Sequence, residues 1–65
     1  MSVSVKQVIE EKMRVLHDFG ICDRYDENMR AKLKRAIDER PNDDPRTVLD
    51  YFCRPMIQDK VNSWF

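Results

Sequence analysis

One glycine and two cysteines are all that this chain of 65 residues holds of either type, too few for the sites such residues usually build. Gly20 alone cannot form a glycine-rich loop that cradles phosphate. Cys22 and Cys53 fall short of a secreted disulfide scaffold, and they have no CxxC spacing. With His17 as the single histidine, no closely spaced pair of nitrogen or sulfur ligands exists to begin a zinc site, so we expect no metal and no cofactor. A cysteine nucleophile needs a base, and His17 with Cys53 would serve only if folding brought them together. A chain with few loops also has little from which to shape a water-excluding pocket, and no enzyme is expected.

Long apolar runs are missing too. None approaches the roughly 20 residues needed to cross a bilayer. The opening stretch MSVSVKQVIEEK has no apolar signal segment, because charge begins at Lys6. These absences point to an intracellular, cytoplasmic protein with reduced thiols. Net charge is absent as well: 12 basic and 12 acidic side chains cancel, which removes the excess positive charge that non-specific nucleic-acid or anionic-membrane binding relies on.

What remains is an apolar content of 42% at helical spacing beside a charged content of 37%, the composition of a folded helical protein. Ser4, with Gln7 three residues on, suits the start of a first helix over about 4–18, and Gly20 followed by Ile21 suits its end. Val5, Val8, Ile9, Met13, Val15, Leu16 and Phe19 cover an arc of roughly 160° on that helix, wider than one neighbour needs. Lys12 lies inside the arc, its aliphatic stem suited to the core and its ammonium to water.

The central stretch reads as a helix over about 23–40, capped by Asp23 and stopped by Pro41. Tyr25, Met29, Leu33, Ala36 and Ile37 form its buried stripe. Asp44 and Pro45 restart the chain as a third helix over about 45–53, with Val48, Leu49 and Phe52 turned inward. Beyond Pro55, the apolar positions Ile57, Val61 and Trp64 fall roughly 120° away from that stripe, and an interior proline clashes with the carbonyl four residues back. A break or kink at Pro55 and a short fourth helix over about 55–63 are expected. The predicted fold is all-α, a compact bundle of three to four helices forming a single domain over 1–65.

Two functional classes are compatible with this pattern. Apolar surface is in apparent excess on the first helix and at the C-terminus, where Val61, Trp64 and Phe65 cluster at an end that ordinarily frays. That favours a small protein-interaction module, an adaptor or an inhibitor that occludes a site on a larger protein, acting by binding and as a homodimer. Val8, Lys12, Val15, Phe19, Trp64 and Phe65 are its candidate contact residues. The alternative is a nucleic-acid-binding regulator using Arg30, Lys34 and Arg35, with Lys32 close by. Interruption of that surface by Glu27, Asp38 and Glu39, and a possible Asp26–Arg30 pairing at i,i+4, argue for a solvated, salt-bridged face instead.

Overall fold

Three amphipathic segments, none able to bury its apolar stripe alone, pack against one another in the computed structural model, which describes residues 4–65. Helix α1 spans Val5–Asp18, α2 spans Glu27–Asp38 and α3 spans Pro45–Ser63. The expected all-α bundle of three to four helices holds, and its helices number three.

Cross-helix pairs give the topology. Arg30 meets Glu10, so α2 runs back along α1. Glu11 meets Arg46, Lys12 meets Asp50 and Phe19 meets Trp64, so α1 and α3 run in the same direction. The result is an up-down-up bundle. Val8, Ile9, Met13 and Leu16 of α1, Leu33 and Ile37 of α2, and Val48, Leu49 and Cys53 of α3 form its core.

The helix ends show which local signals act. Gly20, at φ +74°, closes α1 as a Schellman motif: Gly20 N–H donates to the carbonyl of His17 at 2.8 Å and Ile21 N–H to that of Leu16 at 2.9 Å. Ile21 packs against the core, as the stop signal requires. At the start of α1 the Ser4 side chain makes no capping bond; only its carbonyl enters the helix, accepting from Val8 N–H at 3.0 Å. The capping box with Gln7 does not form.

The central helix begins later than its sequence suggested. Asp26, not Asp23, is the cap, accepting from Met29 N–H at 3.0 Å, while the Asp23 carbonyl closes a preceding turn onto Asp26 N–H at 3.2 Å. Tyr25 therefore falls in the turn and stands 76% exposed rather than joining the stripe. The carboxylate of Asp26 is committed to the cap, and Arg30 turns to Glu10 instead. At α3, Pro45 takes the first helical position, and the Asp44 carboxylate accepts from Thr47 Oγ1 at 3.2 Å in place of a backbone group.

Two expectations for α3 are overturned. The helix continues through Pro55 without interruption, so the separate segment over 55–63 is the second half of α3. Leu49, Cys53, Ile57 and Val61, spaced by four, step about 40° around the helix each time, so the displaced stripe is a steady drift and not a discontinuity. Ile21, Cys22, Met56 and Ile57 all pack against the core and wall that drifting stripe. The missing N–H at Pro55 leaves the Tyr51 carbonyl unpaired within the helix, but both residues are exposed and the carbonyl opens toward water. Phe52 is the second correction: at 37% exposure it lies beside the core, and Cys53 takes the inward place.

Candidate functional site

The residues proposed from sequence as an interaction edge fall into three groups. Val8 belongs to the core at 2% exposure. Lys12 and Val15 lie along the seam between α1 and α3, where with Val8 and Glu11 they line a hollow of about 140 Å³. The hollow is roofed by charge: Lys12 Nζ donates to Asp50 Oδ1 at 2.5 Å, and Arg46 donates to Glu11 at 3.2 Å. Lys12 thus keeps its stem inward, with the side chain 15% exposed, and its ammonium ends on a carboxylate.

At the far end of the same seam Phe19, the C-cap of α1, stacks on Trp64, the C-cap of α3. Their ring centroids lie 5.9 Å apart and the planes diverge by 15°. Phe19 is half-buried, Trp64 remains 58% exposed, and Phe65 is fully exposed at 101%. The stack fastens the ends of two helices while leaving one indole face and one phenyl ring in water. Val8, Lys12, Val15 and Phe19 recur at i, i+4, i+7 and i+11, so they share one line along α1, and Phe65 alone stands off it.

The alternative basic site is not assembled. Arg30 and Lys34 line a groove of about 570 Å³ between α1 and α2, floored by Val5, Ile9 and Ala31. Arg35 is on another side of α2, since successive residues step about 100° around the helix. Arg30 is held by Glu10, and Arg35 Nε donates to Glu39 at 3.2 Å.

The groove that Arg35 does line, between α2 and α3, was missed by the sequence reading. Its volume is about 530 Å³. Lys32, Arg35 and Ala36 come from α2, Glu39 and Arg40 from its C-terminal end, and Val48, Tyr51, Phe52 and Pro55 from α3. Tyr51 is 71% exposed and carries the Arg54 guanidinium 6.0 Å from its ring centroid. The available signal was the shared i, i+3, i+4, i+7 spacing of the two sets; reading Phe52 as core and a break at Pro55 concealed it.

The nucleophile candidates are separated by burial and charge. Cys53 is sealed in the core, and burial pushes its thiol up to about 11 against the opposing pull of the Lys12 ammonium. Cys22 is also raised, chiefly by desolvation and then by Asp26 and Asp23. His17 is exposed beside Asp18 at 3.9 Å, one turn on from the buried Met13 and at the edge of the core-facing side of α1. Both thiols stay protonated near neutrality, the reverse of what an attacking thiolate requires. Among the described residues no three His, Cys, Asp or Glu side chains gather closely enough to hold a metal ion, and no helix is long and apolar enough to cross a membrane.

No model of a known protein family matches the chain, and no curated protein or solved structure is significantly similar to it.

Proposed function

We propose that this protein is a small interaction module, acting by binding without catalysis, which pairs with a second copy and occludes or bridges a site on a larger protein through the end of the bundle that carries Phe19, Trp64 and Phe65. The observation that supports this reading is the exposure of two large aromatics, Trp64 at 58% and Phe65 at 101%, beside the half-buried Phe19. Contact surfaces are enriched in such side chains, which bury much area at little entropic cost. A two-fold assembly through this end sets ring against ring and brings few charges together, as an isologous contact between copies of a neutral chain requires.

Sedimentation of the purified protein tests the pairing directly. The wild type is expected at twice its chain mass of 7.8 kDa, and Trp64→Ala and Phe65→Asp at the chain mass, with an unchanged helical spectrum. A strictly monomeric wild type refutes the pairing. The larger partner is sought by recovering tagged protein from its native host, and partner binding that survives both substitutions refutes the surface. The nucleic-acid reading is the weaker one, because Arg30 and Arg35 are each neutralised and stand on different seams. Binding of mixed DNA and RNA at low salt, abolished by replacing Arg30, Lys34 and Arg35 with Ala, would restore it.

A further inference from the structure

We propose that the groove between α2 and α3 is a second docking surface, and that its occupant is an amphipathic helix of another protein whose apolar stripe is flanked by Asp or Glu. The inference stands apart from the Phe19–Trp64 end and holds whether or not the chain pairs there.

The shape comes from spacing. Positions 32, 35, 36 and 39 of α2 face positions 48, 51, 52 and 55 of α3, and the two helices run in opposite directions. Each set repeats at i, i+3, i+4 and i+7, so the groove is bordered by continuous helical ridges for two turns, about 10 Å. Such a furrow between two helices is the seat a further helix takes when it lays its apolar face into a groove. Ala36 keeps one wall low, Val48 closes the floor, and Tyr51 and Phe52 offer the aromatic anchors of a contact surface.

The seam also differs from the other two in how it is held. The α1–α2 seam is crossed by Arg30–Glu10, and the α1–α3 seam by Lys12–Asp50 and Arg46–Glu11. Among the described residues no ion pair joins α2 to α3; Arg35–Glu39 and Arg40–Asp43 are each local. Where the other seams are covered by charge, this one leaves Tyr51 and Phe52 in water.

Charge selects the occupant. Lys32, Arg35 and Arg40 line the groove against Glu39, with Asp43 standing on Arg40, a net of +1 from a chain whose total is zero, with Arg54 beside the Tyr51 ring. A second copy docking this face against itself would set those cations on their own images, and like-charge juxtaposition disfavours it. A nucleic acid draws its affinity from many phosphates neutralised together, and a rim with three cations above a largely apolar floor offers few such contacts. A helix with acidic flanks needs only rim pairings, which exposed ion pairs worth about 0–1 kcal/mol exchange readily, and gains the rest from burying its stripe.

The probes are two stapled peptides of about four turns with one leucine stripe, flanked by Glu in one and Lys in the other, titrated into the full chain at physiological salt with amide shifts followed by NMR. The Glu-flanked peptide is expected to bind about ten-fold tighter than its Lys-flanked twin, shifting the amides of Lys32, Ala36, Tyr51 and Phe52. Tyr51→Glu should weaken it about ten-fold, as loss of an aromatic anchor does. Lys32→Glu, a fully solvated change, should narrow or reverse the preference between the twins, and Trp64→Ala should leave it intact. Equal affinity for both peptides, shifts centred on Phe19 and Trp64, or an oligothymidylate that binds the groove at the same salt would each overturn the proposal.

Discussion

Replacing Pro55 with alanine is expected to stabilise the protein by about 2 kcal/mol, the balance of an interior proline's helix cost of about 3 kcal/mol and the 0.4–1 kcal/mol by which its ring restricts the unfolded chain. The magnitude follows from position. Pro55 has ten residues of α3 before it and eight after it, counting from Pro45 and to Ser63, so it is far from the first turn where proline is free of penalty. An alanine N–H at this site can donate to the Tyr51 carbonyl four residues back. Both positions are exposed, so no core contact is lost in exchange. For a domain of this size 2 kcal/mol corresponds to a rise of about 8–16 °C in melting temperature. Urea unfolding followed by helical ellipticity should show a higher midpoint at unchanged slope, and the new amide at residue 55 should be protected from hydrogen exchange. If Pro55 instead began a separate helix, it would occupy a favourable first position and alanine would be neutral or destabilising there. That result would refute the continuous α3 and with it the outer wall of the α2–α3 groove.

Two further substitutions probe the helix stop and the core thiol. A Cβ added at Gly20 would meet only the flexible Lys60 side chain, at 3.6 Å from Cε, so Gly20→Ala should cost only what the left-handed backbone demands of a side chain, about 1–2 kcal/mol in the urea midpoint. A loss well above that would mean a clash the geometry lacks. Cys53, raised from 9.0 to about 11, holds its proton longer in the folded than in the unfolded chain. Its contribution is therefore full below pH 9 and lost as pH rises through about 11, an extra fall of about 2–3 kcal/mol at 1.4 kcal/mol per unit. Between pH 8 and 11 the wild type should lose that much more stability than Cys53→Ala, and parallel curves would show the thiol to be hydrated.

Periodicity and punctuation carried most of the fold. Gly20, Pro41 and the Asp44–Pro45 pair mark three of the helix ends, because each acts through its own backbone and needs no neighbour. The start of α2 was less legible, since Asp23 and Asp26 are both competent caps and only packing of the 19–26 turn decides between them. Phe52 and Cys53 show the same limit within a helix: adjacent apolar residues differ by about 100°, and which one turns inward depends on where α1 and α2 lie. Among the candidate contact residues, the proximity of Phe19 to Trp64 follows from the parallel course of α1 and α3, 45 positions apart in sequence. The α2–α3 groove was hidden because it belongs to two helices whose register no local pattern states.

The run Glu10–Glu11–Lys12 carries the argument from charge to surface. Read locally it is a solvated stretch, yet its three members point about 100° apart and reach different neighbours: Glu10 meets Arg30 on α2, while Glu11 and Lys12 meet Arg46 and Asp50 on α3. Exposed pairs of this kind are worth about 0–1 kcal/mol each, too little to hold a bundle that its nine buried apolar side chains already hold. On the α1–α3 seam the opposite signs act on register, because α3 slid by one turn along α1 would set Asp50 against Glu11. The helix that fixes the register is thereby crossed by ion pairs on both of its seams. Apart from Tyr25 in the turn before α2, the chain's exposed aromatic side chains are Tyr51 and Phe52 over the α2–α3 groove and Trp64 and Phe65 at the end of α3. A bundle with one helix serving as the internal clamp exposes the other two, which is how so short a chain would carry the two docking surfaces proposed for it.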